Sequence, residues 1–143
     1  MNKSILIVED DKRVYEMINN VVSRYGTVEH VRAVDGAIGA FEASEDFFDL
    51  VVLDLKVVAQ GLTQEQMVQY RDMEGLAFIN EYYLRDVKDD EEIKQISKTI
   101  VICSRYTADF EKRFPKQASQ FTLITKNNGF IKKLESHVNK LFK

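Results

Sequence analysis

Short, unbroken apolar runs alternate along the chain with longer stretches in which apolar residues recur every three or four positions. Four runs stand out: Ile5-Leu6-Ile7-Val8, Leu50-Val51-Val52-Leu53, Thr99-Ile100-Val101-Ile102-Cys103 and Phe121-Thr122-Leu123-Ile124. Each is rich in branched side chains and bounded by polar residues, which is how a strand buried on both faces of a parallel sheet reads. A fifth, Thr27-Val28-Glu29-His30-Val31-Arg32-Ala33, alternates apolar and polar positions and reads as a half-exposed edge strand. Between the runs the period is helical. Val14, Ile18, Val21, Val22 and Tyr25 share one face of a helix over about 12–25, with Gly26 as its C-cap. Ala37, Ala40 and Phe41 mark a short second helix behind Asp35, taken as its N-cap. A third helix over 75–85 turns Leu76, Ile79 and Tyr83 inward. A terminal helix buries Phe130, Leu134, Val138 and Leu141 and carries Lys132, Lys133 and Lys140 on its outer face. Strands alternating with helices predict an α/β fold of right-handed parallel βαβ units.

Two stretches break the alternation. The segment 57–74 is polar, glutamine-rich and too long for a plain connection. Within it Thr63 and Gln66 have capping-box spacing, and Leu62 and Met67 hold the hydrophobic-staple positions, so a short extra helix is expected over 64–70. The segment 86–92 has five acids in seven residues and reads as a solvated loop. Pro115 falls where a fourth helix is due, so that helix should be short or broken there.

Composition narrows the class. A chain of 143 residues is one domain's worth, and its 45% apolar and 30% charged residues suit a water-soluble globule. With Cys103 as its one cysteine, the chain has no internal disulfide. A net charge of −3 argues against direct nucleic-acid binding, and no apolar run is long enough for membrane insertion. The N-terminus passes from Lys3 through four apolar residues into three acids, too short a stretch for a signal peptide. A cytoplasmic location is expected.

The chemistry lies at the strand ends. Glu9, Asp10 and Asp11 follow the first run, Asp54 the second, Ser104 the third, and Lys126 stands just past the fourth. In an open parallel sheet these ends line one rim, and ligands bind there. Crowded carboxylates repel one another unless a positive charge sits among them. Oxygen ligands of this kind suit Mg2+. A carboxylate beside Mg2+ is a competent nucleophile toward a phosphoryl group, with Ser104 and Lys126 placed to contact phosphoryl oxygens. Taken singly, each residue has a plainer reading. Asp10 or Asp11 would cap the first helix, Ser104 would belong to a turn, and Lys126 would be a solvated lysine. His30 and His137 lack ligand spacing and read as surface residues, while Cys103 reads as inert core packing. Phe78, Tyr82 and Tyr83 read as core or rim.

The segments Ile5-Leu6-Ile7-Val8-Glu9-Asp10-Asp11, Asp49-Leu50-Val51-Val52-Leu53-Asp54-Leu55-Lys56, Met73-Glu74-Gly75-Leu76, Ile100-Val101-Ile102-Cys103-Ser104 and Thr125-Lys126, in that order, resemble the receiver domains of two-component response regulators. The resemblance spans essentially the whole chain. It implies a flavodoxin-like, doubly wound, five-stranded parallel sheet of order 2-1-3-4-5 with helices on both faces. It makes 57–74 an insertion between the third strand and third helix of a receiver domain covering 1–143. Asp54 would be the phosphoacceptor. Glu9, Asp10, Asp54 and the backbone carbonyl of Lys56 would hold Mg2+. Ser104 would be the switch hydroxyl, and Lys126 the phosphate-binding lysine. The phosphoryl group would come from a histidine kinase or phosphotransfer protein, and the signal would leave by contact with a protein target. With the chain ending soon after the terminal helix, a stand-alone receiver is expected, a phosphoacceptor rather than a turnover enzyme.

The chain departs from the family pattern in several places. Gly75 lies 21 residues after Asp54, the proline usual soon after the phosphoacceptor is missing, and Asn127 replaces the one usual after the lysine. Leu123 stands where an aromatic switch residue is usual, with Phe121 one strand period earlier. Arg105 replaces a small residue and would cover the pocket. These departures support an alternative, a receiver-like interaction module that does not signal by phosphorylation. A phosphatase of the haloacid-dehalogenase type would want a second acid at position 56, where this chain has Lys56.

Overall fold

The apolar runs become the five strands of one parallel sheet in the computed structural model, which describes residues 2–143. Strands β1 (Lys3–Val8), β2 (Gly26–Val31), β3 (Leu50–Leu53), β4 (Ile100–Ser104) and β5 (Thr122–Thr125) lie in the order β2-β1-β3-β4-β5, as the resemblance implies. β1 pairs with both β2 and β3, with Val8 opposite Val31 on one side and Leu53 on the other. The winding therefore reverses between β1 and β3, and the ends of those two strands carry the acids.

Alternation along the strands divides the core in two. Ile5, Ile7, Leu50, Val52, Val101 and Cys103 pack on one face against α1 (Lys12–Val22) and α8 (Phe130–Leu141). Leu6, Val8, Val51, Leu53, Ile100 and Ile102 pack on the other against α2 (Val34–Ala43), α4 (Glu74–Phe78) and α6 (Thr107–Arg113). Each fully buried aliphatic side chain contributes ~1.5–3 kcal/mol, so a polar substitution in a central strand would be severe. Strand β2 sits at the edge and alternates in exposure, as its sequence predicts.

Several local expectations need correction. The first helix stops at Val22 and passes through a 3-10 turn, Ser23–Tyr25. Gly26 is no left-handed cap: its φ is 171°, and it opens β2. Glycine is needed because a Cβ there would lie 1.9 Å from the Lys3 carbonyl oxygen. Asp35 is not the N-cap of α2, which begins one residue earlier behind Ala33. The insertion does the capping instead. The Val58 and Gln60 carbonyls accept from the Val34 and Asp35 amides at 3.0 and 2.7 Å. The segment 86–92 is not all loop. Asp90, Glu91 and Glu92 form the first turn of α5 (Asp90–Ser97), where acidic side chains complement the helix dipole.

Elsewhere the local signals hold. In α3 (Gln64–Gln69) the Thr63 and Gln66 side chains make both capping-box bonds, although Met67 remains exposed. The third helix runs as α4 and continues through a π-helical turn, Ile79–Tyr83. The fourth breaks at Phe114 into α6 and α7 (Pro115–Ala118), with Pro115 at the start of the second piece, where its missing N–H costs nothing. Among the described residues no helix is long and apolar enough to cross a membrane.

Candidate phosphoryl-transfer site

The carboxyl ends of β1 and β3 place Glu9 and Asp54 side by side. The chain crosses from Val8 to the β2 and β3 ends through backbone bonds: the Glu9 amide donates to the Val31 carbonyl and the Asp54 amide to that of Val8, both at 3.0 Å. From the end of β5, Lys126 reaches between them, with Nζ 2.6 Å from Glu9 Oε1 and 2.6 Å from Asp54 Oδ2. The Lys126 amide is fixed in turn by the Ser104 carbonyl at 3.0 Å. Glu9, Asp10 and Asp54 each offer a carboxylate oxygen, and these oxygens lie within 4.8 Å of one another. Asp11 turns away to cap α1, accepting from the Arg13 and Val14 amides.

Burial makes these charges matter. Glu9 is 1% and Asp54 8% exposed. Burial pushes the Glu9 carboxyl up to about 7; the Asp54 charge adds to the push, and the Lys126 ammonium opposes it. Burial alone would depress Lys126, but the Asp54 and Glu9 carboxylates outweigh it and hold its pKa above the ordinary lysine value. The cluster thus has two buried carboxylates, a third nearby and one cation. An added hard cation would relieve the excess negative charge, and the all-oxygen donor set fits Mg2+.

A cleft of about 250 Å³ opens over the cluster, lined by Glu9, Asp10, Asp54, Lys56, Tyr106 and Lys126 together with Asp11, Val14 and Arg105. A larger cleft of about 620 Å³ lies between α5 and α7, but it gathers no comparable set of reactive groups. Chemistry rather than volume picks out the smaller one.

No protein-family model matches the chain, and no curated protein matches it. Solved structures do. The non-phosphorylated HemR receiver domain from Leptospira biflexa superposes with a TM-score of 0.67 at 18% identity, covering 99% of this chain and 95% of that one. The response regulator TrrA from Thermotoga maritima, solved in complex with Mg2+-BeF, gives 0.63 at 20% identity over 97% and 98% of the two chains. A CheY-like receiver domain from Methylobacillus flagellatus gives 0.62 at 21% identity over 99% of each. The chain has the response regulator receiver fold.

Within this receiver fold, Glu9, Asp10, Asp54, Lys56 and Lys126 meet at the cleft. Ser104 does not line it: the residue is fully buried, and its Oγ accepts from the Tyr106 amide at 3.2 Å. Exposed Arg105 borders the opening. Phe121 stacks on Phe110 with centroids 6.1 Å apart, and Leu123 packs against the same core cluster, so both lie on the α6 side of the sheet. Sequence reading missed Tyr106 at the cleft and, behind it, His30 in β2 and Arg32 just past the end of that strand. His30 Nε2 lies 2.7 Å from the Glu9 carbonyl oxygen, and Arg32 Nη2 donates to the Asp10 carbonyl at 3.2 Å. The alternation of β2 puts His30 on the inner face with Val28, a signal that it is more than a surface residue. His137 is also half-buried.

Proposed function

We propose that this receiver accepts a phosphoryl group on Asp54 from a histidine kinase or phosphotransfer protein and passes the signal on through contact with a protein target. The observation that carries the reading is the Asp54 carboxylate at a strand end, ion-paired with Lys126 at 2.6 Å and gathered with Glu9 and Asp10 beside an open cleft. Glu9, Asp10, Asp54 and the Lys56 carbonyl would hold Mg2+, which when bound supplies positive charge to phosphoryl oxygens.

Lys126 supplies a positive charge of its own, and its ion pair with Asp54, backed by a second with Glu9, holds the Asp54 carboxylate before a donor arrives. One Asp54 oxygen forms a bond to phosphorus as the donor's P–N or P–O bond breaks. The electron pair leaves with the donor, as imidazole nitrogen or acetate. Positioning and charge neutralisation supply most of the rate in such a transfer. Ser104 lies behind the Arg105–Tyr106 turn, so its hydroxyl would reach a phosphoryl oxygen only after that turn shifts. Such a shift is the conformational step that would separate the two states of a signalling device.

The test is intact mass after incubation with Mg2+ and acetyl phosphate. One added phosphoryl group on the wild type, absent with EDTA and in Asp54→Asn, is the expected result. An unmodified wild type that still binds Mg2+, or an Asp54→Asn variant modified equally, refutes the reading. The first of these favours an interaction module independent of phosphorylation.

A further inference from the structure

We infer that His30 is a positioning residue for the acid pair, holding the Glu9–Asp10 backbone from the neighbouring strand so that both carboxylates line the cleft where a metal would bind. The inference rests on the phosphoacceptor reading and extends it to a residue outside the cleft. Glu9 and Asp10 sit where β1 has ended and α1 has not begun, a stretch without helical or sheet bonds on the carbonyl side. Two side chains, one in β2 and one just past its end, supply what is missing: His30 Nε2 at 2.7 Å from the Glu9 carbonyl and Arg32 Nη2 at 3.2 Å from that of Asp10. A carbonyl only accepts, so Nε2 carries the hydrogen.

The imidazole is itself held. Its ring stacks on Tyr15 of α1 with centroids 3.6 Å apart and planes 6° from parallel. Register adds a second constraint, since Ile7 pairs with His30 and the Glu9 amide donates to Val31. A ring with two rotatable bonds, clamped between strand and helix, places its donor at a fixed point where a longer flexible side chain would not. Outer partners of this kind orient metal ligands, and their loss costs ~10–100-fold in metal affinity.

Calorimetric Mg2+ titration of the full chain, beside urea midpoints of the metal-free protein, tests this. His30→Phe keeps the stack on Tyr15 and removes the donor; His30→Gln restores a donor amide. We expect Mg2+ affinity to fall ~10-fold in His30→Phe and to recover largely in His30→Gln, with similar urea midpoints for the two. Unchanged affinity in His30→Phe overturns the inference. So does an equal fall in both variants that follows their midpoints, because that marks a purely structural role. Should His30→Phe not fold, Arg32→Ala, at an exposed position, tests the same device through Asp10: weaker Mg2+ binding at an unchanged midpoint supports it, and unchanged binding overturns it. A wild type that binds no Mg2+ refutes the site reading beneath it, an outcome distinct from a His30 variant binding like the wild type.

Discussion

Lys126→Met should destabilise the metal-free protein more than any other single change at the cleft, and the loss should depend on pH and on Mg2+. The ammonium lies 2.6 Å from a carboxylate oxygen on each side, and its side chain is 9% exposed. At an effective dielectric of 20 each pair is worth ~6 kcal/mol before desolvation. Desolvation offsets much of that, and breaking a buried pair by removing one partner typically costs ~3–5 kcal/mol. Methionine fills the space but leaves Glu9 and Asp54 facing each other within 4.8 Å without their cation.

Glu9 sets the pH dependence. Its carboxyl already titrates near 7 in the folded protein, against 4.5 for a free side chain. The folded state therefore binds this proton more tightly than the unfolded one, so the Glu9 contribution to stability is full below about pH 4.5 and falls as pH rises toward 7, by ~3 kcal/mol at ~1.4 kcal/mol per unit. Losing Lys126 extends that decline above pH 7, which makes the variant's deficit small at pH 5 and large at pH 8. At ~2–4 °C per kcal/mol for a chain of this size, the melting temperature should drop by ~10 °C at pH 8. Mg2+ should recover part of it through mass action. The chain has no tryptophan, so circular dichroism at 222 nm is the suitable readout. A melting temperature within about 2 °C of wild type at pH 8, indifferent to pH and Mg2+, would refute the reasoning.

Two further outcomes are expected. Gly75→Ala would place a Cβ 2.2 Å from the Asp54 carbonyl oxygen, a backbone atom with no room to yield, so α4 must shift away from β3; stability should fall by ~1–3 kcal/mol in urea titration, and an unchanged midpoint would show the contact to be soft. Arg113 of α6 donates to the Arg71 and Gln69 carbonyls at 2.7 and 3.0 Å, tying α6 to the end of α3. Because Arg113 is exposed, Arg113→Ala should cost only ~1 kcal/mol globally, but amide exchange over 64–72 should quicken at least ~10-fold; unaltered exchange there would mean that α3 is held by other contacts.

What the sequence made legible follows from how locally each signal is encoded. A strand buried on both faces must be a short apolar run, so β1, β3 and β4 announce themselves, and the acids that end β1 and β3 come with them. A capping box needs four residues, so α3 was readable inside an otherwise featureless insertion. The segment 86–92 misled because clustered acids suit a solvated loop and the first turn of a helix equally well. Asp35 misled because the true cap of α2 is backbone from 58 and 60, more than twenty residues along the chain. His30, Arg32 and Arg113 stayed hidden for a related reason: each acts on a carbonyl oxygen, which every residue possesses, so nothing at the accepting position marks the contact. The cleft is therefore encoded at two levels. Its charged groups are written at strand ends, where topology alone gathers them. The contacts to the Glu9 and Asp10 carbonyls are written in His30 of β2 and Arg32 just past it, and the attachment of the insertion to α6 in Arg113. Changes of the second kind would leave the acid–lysine cluster recognisable in sequence while altering the backbone that carries it, and on the proposed function they should show first in Mg2+ affinity.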